Sequence, residues 1–279
     1  MRPEYTIRQQ IGGITEDNRR LLSKLHREMI GPFTVFTATR VLGMSQSKTA
    51  RLLAYWASRG WLSRIRRGLY ITVPFEAQHP SERREDPWVV AATLFAPVYI
   101  GGWSACEHWG LTEQIFSEIV VFTAYRVRTR RQQVQDTKFV LRFVPEDRLF
   151  GTANVWRQQT KIQVSDPSRT VADILSEPAI GGGIRHVAQV VKEYFSGEHR
   201  DDDKLLNYVS RLKNRTLCKR LGYLLEKFRI DAPKISKYCE DNISAGYSKL
   251  DPTVKVKGRL SRRWNLDINV ELGSSVGNQ

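Results

Sequence analysis

Cysteine is scarce in this sequence. Its three copies, Cys106, Cys218 and Cys239, are far apart and odd in number. No two are spaced as a zinc-ligand pair, and a scattered odd set is no disulfide framework, so both kinds of scaffold are excluded. Long apolar runs are missing as well: no stretch reaches the roughly 18 uncharged apolar residues that a membrane-spanning helix needs. The opening MRPEYTIRQQ lacks the apolar centre of a signal peptide, and the expected compartment is the cytoplasm, with no membrane partner. There is no internal repeat and no low-complexity tract.

Catalytic signatures are absent too. The chain contains no GxxxxGK(S/T) phosphate loop, no GxSxG elbow and no HExxH zinc helix. Cys106 and His108, within SACEHWG, read as packing neighbours on a short helix. The glycines of IGGGI (180–184) precede a helix, whose start can hold an anion, but read better as a capping turn. Asp201, Asp202 and Asp203 fit an acidic helix start, where carboxylates complement the helix dipole. Only DINVE (267–271), which could aim Asp267, Asn269 and Glu271 along one strand face, offers a candidate for metal chemistry. The expectation is a binding protein rather than an enzyme, with no catalytic residues, no cofactor and no metal.

What the chain has in excess is positive charge. Lys and Arg number 44 against 29 Asp and Glu, a net of +15, and the isoelectric point is about 9.9. The excess is uneven: residues 1–74 carry 13 basic and 4 acidic residues, whereas 75–279 carry 31 and 25. An excess concentrated in a quarter of the chain points to a polyanionic partner, nucleic acid being the commonest. The length of 279 residues suggests two domains.

The basic quarter has a recognisable order. Residues 16–30 read as a helix, with Leu21, Leu22, Leu25, Met29 and Ile30 at three- and four-residue spacing and Arg19, Arg20, Lys24 and Arg27 on other faces. After Gly31-Pro32 a short helix spans Phe33–Leu42 and stops at Gly43. The next helix covers 45–59, with Ser45 as N-cap, its hydroxyl accepting from a free backbone N–H. Ala50, Leu53, Ala54 and Ala57 form its apolar stripe with Trp56 beside it; Ser47, Lys48, Arg51 and Tyr55 form a polar one. Gly60 closes it. WLSRIRRGLYITV (61–73) then has the composition of two strands joined by a turn at Arg66-Arg67-Gly68. Two helices joined by a glycine turn and followed by a basic hairpin predict a winged helix-turn-helix over 1–74. Duplex DNA would be read by Ser45, Gln46, Ser47, Lys48 and Arg51 and gripped by Arg64, Arg66 and Arg67 at the wing tip, with Arg19, Arg20 and Lys24 extending the footprint.

A linker is expected over 75–87, where Pro74, Pro80 and Pro87 bracket a charged, aperiodic stretch. Residues 88–279 read as a mixed α/β domain. It has helices at 88–95 and 103–109 and strands at 117–125, 137–145 and 153–166. Further helices follow SDPSRT and the glycine run. The tail is helical, then strand-like over 254–272, and GSSVGNQ ends it as a frayed terminus. The expected fold class is α+β, an N-terminal winged helix-turn-helix followed by a larger mixed α/β C-terminal domain.

Four separated stretches carry a family resemblance: WLSRIRRGLYITV, PVYIGGWSACEHWGLTEQ (97–114), VSDPSRTVADILSEPAIGGGI (164–184) and KRLGYLLE (219–226). In this order, over residues 33–228, they resemble the AbiEi family, the antitoxins of type IV toxin–antitoxin (abortive infection) systems. The resemblance implies a winged helix that represses its own promoter. It also implies a C-terminal domain that counters a nucleotidyltransferase-like toxin without a stable complex. Self-association on DNA is compatible with it. The longer basic start (1–20) and the tail from 230 depart from the pattern. The alternatives are a stand-alone winged-helix transcriptional regulator whose second domain oligomerises or binds an effector, and a nucleic-acid enzyme targeted by the winged helix. Asp166 or Ser165 as helix cap, Pro167 early in the helix and a locally paired Arg169 give SDPSRT a purely structural role.

Overall fold

A computed structural model describes residues 15–73 and 85–273. Residues 1–14, most of the expected linker (74–84) and the terminal 274–279 lie outside the described residues. The chain divides into two compact units, Met1–Thr93 and Leu94–Gln279, and its class is mixed α+β.

In the first unit α1 (Glu16–Glu28) starts at Thr15, whose hydroxyl accepts from the Asn18 N–H. Its Leu22 and Leu25 are buried, whereas Ile30 lies beyond the helix end and is exposed. β1 (Phe33–Thr34) replaces the first two residues of the expected second helix, because Phe33 pairs in register with Tyr70. α2 (Val35–Leu42) stops at Gly43, which sits in the left-handed region that ends helices. α3 (Gln46–Ser58) follows after three residues. β2 (Leu62–Arg66) and β3 (Leu69–Thr72) form an antiparallel hairpin turned at Arg67 and Gly68, with Gly68 at φ 83°. The three strands make one sheet in the order β1-β3-β2.

One apolar core joins Leu22, Leu25, Phe33, Leu42, Leu53, Trp56, Leu62 and Tyr70. It corrects the expected stripe of α3. The buried side is Thr49, Leu53 and Trp56, while Ala54 is exposed. A tryptophan ring removes far more apolar surface from water than alanine methyls, so the helix rotates to bury Trp56. α4 (Pro87–Leu94) then carries the chain across the boundary between the units.

The second unit is built on a six-stranded mixed sheet in the order β6-β7-β5-β4-β9-β8. β4 (Val98–Ile100), β5 (Glu118–Thr123) and β7 (Thr137–Phe143) are its centre and one flank. β6 (Arg131–Val134) folds back on β7. The single strand expected over 153–166 is a hairpin of β8 (Thr152–Arg157) and β9 (Thr160–Ser165). β6 and this hairpin escape sequence reading for one reason. Gln135 and Gln158 make the turns at φ 52° and 54°, in a region where glycine or asparagine is the usual signal. α5 (Gly102–His108) lies between β4 and β5 in sequence, and its Cys106 is fully buried.

Helices α6 (Pro167–Ser176), α7 (Ile184–Ser196), α8 (Asp202–Leu212), α9 (Arg215–Phe228) and α10 (Pro233–Asp241) follow. A small sheet of β10 (Ser248–Lys249), β12 (Leu266–Ile268) and β11 (Arg259–Ser261) closes the unit. Asp201 caps α8, in the structural role expected of the triple aspartate. The glycine run before α7 is a turn, and the Ile184 N–H at the helix start donates to the Asp251 carboxylate at 2.8 Å. The chain thus supplies its own anion there.

Thr49 Oγ1 is fully buried with no hydrogen-bond partner, a loss of about 1–3 kcal/mol. Thr49→Val keeps the shape and is expected to raise stability by about 1 kcal/mol, read from the urea midpoint; a drop would mean the hydroxyl is satisfied. For Asp251, burial alone would raise the carboxyl. The Ile184 N–H, the Thr253 hydroxyl and N–H, and Arg220 outweigh it and hold the group below the usual carboxylate range. Its stabilisation is therefore present above the ordinary carboxylate value of about 4 and lost as pH falls through the lower folded value. Asp251→Asn should cost about 1–3 kcal/mol at neutral pH, shrinking in acid, by urea denaturation across pH.

Candidate nucleic-acid interface

Between Met29 and Val73 the first unit carries its charge at the surface. From Met29 to Val73 there is no acidic residue and there are seven basic ones, Arg40, Lys48, Arg51, Arg59, Arg64, Arg66 and Arg67, every one exposed. Arg40 and Arg59 are additions to the expected set, and the signal that finds them is this acid-free run rather than any motif. On α1, Arg19, Ser23, Lys24 and Arg27 line a shallow depression with Glu16 and Arg20, whose ion pair at 3.0 Å takes Arg20 partly out of the free charge.

All eight side chains expected to contact DNA are exposed: Ser45, Gln46, Ser47, Lys48, Arg51, Arg64, Arg66 and Arg67. On α3, Ser47, Lys48 and Arg51 lie on one face with Tyr55, across the helix from Thr49, Leu53 and Trp56. Gln46, one residue before Ser47, is turned about 100° away and belongs to the helix start rather than that face. Tyr55 packs edge-on against Trp61 at 5.9 Å, with the Arg59 guanidinium 5.5 Å from its ring.

Ser45 requires a correction. It occupies the N-cap position, and its carbonyl accepts from the Thr49 N–H at 2.9 Å, but its hydroxyl caps nothing. That hydroxyl lies 3.5 Å from Ser47 Oγ instead. The N–H groups of the first turn of α3 are left without a side-chain acceptor.

In the hairpin, exposed Arg64 and Arg66 flank buried Ile65, with a register shift between them: Arg64 faces Tyr70 and Arg66 faces Leu69. The alternation of the strand puts both arginines outward while Ile65 enters the core. Arg64 lies 6.0 Å from the Tyr70 ring, and Arg67 stands at the turn itself.

The second unit uses its motif residues internally. In SDPSRT, Asp166 accepts from the Arg169 N–H at 2.8 Å and from the Tyr208 hydroxyl at 2.7 Å, and Pro167 opens α6. Arg169, 1% exposed, donates to Asp173 at 2.9 Å, to the Phe150 carbonyl at 3.0 Å and to the Tyr99 hydroxyl at 3.0 Å. Burial pushes the Asp173 carboxyl up, Arg169 and the Tyr99 hydroxyl pull it back, and the net is above the usual range. In KRLGYLLE, Lys219 donates to the Gly246 carbonyl and Ser248. Arg220 donates to the carbonyls of Leu250, Leu175, Ser176 and Lys249, and burial lowers it to about 10. At Gly222 any Cβ would overlap the Trp264 ring. Asp267 and Asn269, which could have shared a strand face with Glu271, bond the backbone instead. Asp267 accepts from the Gly258 N–H, and Asn269, past the end of β12, bonds the backbone of Asp251 in both directions. Among the described residues no group of three His, Cys, Asp or Glu is arranged to hold a metal, and no helix is long and apolar enough to cross a membrane.

No family model matches the sequence, and no curated protein matches it. Among solved structures, the RV2827C protein from Mycobacterium tuberculosis is similar in fold. It aligns over 91% of this chain and 92% of that chain with a TM-score of 0.59 and 15% identity. The likeness extends across both units and is one of architecture.

Proposed function

We propose that the first unit is a winged helix-turn-helix that binds duplex DNA, with α3 as recognition helix and the β2–β3 hairpin as wing. The observation that carries this is the placement of the polar face of α3 and the arginine-tipped hairpin on one acid-free stretch, all of whose basic residues are exposed. Helix, turn, helix and hairpin come in the order that puts a helix in the major groove and a ribbon beside it. Ser47, Lys48 and Arg51 face base edges and phosphates; an arginine bidentate to guanine is worth about 1–3 kcal/mol of discrimination. The uncapped N–H groups at the start of α3 suit a phosphate oxygen. Arg64, Arg66 and Arg67 hold the backbone and position the protein without reading sequence.

The motif resemblance extends this reading. The chain acts in the cytoplasm by binding rather than by catalysis, as an AbiEi-like antitoxin that represses its own promoter. Its second unit counters a nucleotidyltransferase-like toxin without a stable complex. The buried roles of Arg169, Lys219, Arg220 and Gly222 make two of the shared motifs folding elements, so the antitoxic surface lies elsewhere on that unit.

Arg66→Ala with Arg67→Ala should weaken operator and random DNA alike and flatten the dependence of log affinity on log salt by about 2. Arg51→Ala should erode preference for the operator instead, both measured by gel shift across salt. A double variant that binds like the parent would remove the wing from the interface. Co-expression with the adjacent gene should show growth rescue by the full chain and by its Arg66→Ala/Arg67→Ala variant. Loss of rescue in that variant would place antitoxicity in the DNA-binding unit.

A further inference from the structure

A second basic surface lies on the larger unit, where the adjacent parallel strands β5 and β7 end together at the paired Thr123 and Phe143. Beyond β5 the chain runs through Tyr125, Arg126, Arg128 and Arg130 into β6, all four exposed. Between Glu118 and Asp136 there are four arginines and no acidic residue. Two rings stand exposed among them, Tyr125 at 61% and Phe143 at 47%. The Arg126 guanidinium lies 5.6 Å from the Phe143 ring.

The segment is anchored at both ends. The Tyr125 N–H donates to Thr123 Oγ1 at 2.9 Å, and the Arg130 carbonyl accepts from the Leu141 N–H at 2.7 Å. Neighbouring cations are already neutralised: Arg142 donates from Nε to both oxygens of Glu177, and Arg131 lies 3.6 Å from Glu118. None of the ion pairs among the described residues includes Arg126, Arg128 or Arg130. Glu146 and Asp147, the first acidic residues in the chain after Phe143, are exposed.

We propose that this surface binds an unpaired nucleic-acid strand, with bases stacked on Tyr125 and Phe143 and phosphates on Arg126, Arg128 and Arg130. Rings interleaved with arginines suit a single strand, which offers base faces and phosphates together. A duplex hides its base faces and would use the arginines alone, leaving two aromatic rings wet. Aromatic faces and guanidiniums read neither sugar, so RNA and DNA strands should bind alike. This site is independent of the winged helix and stands whether or not that assignment holds.

The test uses the full chain and fluorescein-labelled oligo-U, oligo-dT and a mixed-sequence duplex of about 15 nucleotides, near the upper site size of such surfaces, followed by anisotropy. Tyr125→Ala with Phe143→Ala should weaken both strands at least about tenfold, at roughly 5- to 150-fold per lost stack, and leave the duplex unchanged. Tyr125→Trp with Phe143→Trp should restore strand binding. Arg126→Ala with Arg128→Ala should flatten the strand's salt slope by about 1.4. Arg66→Ala with Arg67→Ala should spare the strands, so that failure of the winged-helix assignment shows separately. Thermal unfolding monitors the fold of each variant, and the tryptophan pair keeps the test decisive should the alanine pair unfold. The proposal is overturned if the parent binds neither strand, if the alanine pair is folded and binds like the parent, or if strand and duplex weaken equally. It is also overturned if the tryptophan pair fails to bind, or if oligo-glutamate displaces the strand as well as unlabelled oligo-U does, which would mark an acidic-protein surface.

Discussion

A guanidinium held out of reach of water organises the larger unit. An unpaired buried charge would cost many kcal/mol, so Arg169 must be met on every side. Asp173 supplies the counter-charge from the next turn of α6, Tyr99 reaches in from β4, and the Phe150 carbonyl closes the third direction. The Phe150 ring lies 4.2 Å from the guanidinium carbon and adds a cation–π contact. Because the fork of Arg169 is planar and rigid, it fixes the helix relative to strand and loop together. Asp166, one turn earlier, caps the same helix and takes the Tyr208 hydroxyl from α8. One turn of α6 thereby sets β4, the approach to β8 and α8 in a single arrangement. Arg220 plays the parallel role below it, tying α9 to the end of α6 and to the residues that form β10.

The smaller unit follows the opposite policy. The core around Trp56 is apolar, and it holds two polar atoms without a partner, Thr49 Oγ1 and Trp56 Nε1. Every basic residue from Met29 to Val73 is exposed. On the proposed reading this exposed charge is what meets a polyanion. The surface at Tyr125 and Phe143 repeats that pattern on the larger unit, with exposed rings added where α3 offers polar side chains.

Sequence reading succeeded where one residue's own conformational chemistry decides the outcome. Gly43 and Gly68 were legible because a left-handed residue is required at each, and Asp166-Pro167 because cap and first helical position are local. Reading failed at Gln135 and Gln158, where the hairpins turn on a residue that carries no turn signal. It also failed at Ser45, where a cap residue occupies the cap position while its hydroxyl turns to Ser47. The stripe of α3 was misassigned because spacing admits both Ala54 and Trp56, and only the core chooses the larger ring. The eight residues expected to contact DNA are exposed, as are Arg40 and Arg59, and Gln46 lies off the face that Ser47, Lys48 and Arg51 share.

By itself the sequence determined the three helices and the hairpin of the first unit, its basic imbalance, the glycine breaks at Gly43 and Gly60, and the α+β class. These depend on backbone preference and charge, which act over a few residues. Tertiary structure decided the rest. It settled which side of α3 is buried, why Arg169, Arg220 and Gly222 stand where they do, and that Asp267 and Asn269 bond the backbone of Gly258 and Asp251. It also brought Tyr125 and Phe143, eighteen positions apart in the chain, to the ends of adjacent strands. Those outcomes rest on partners distant in sequence, and burial and hydrogen bonding exist only once the chain has brought the partners together.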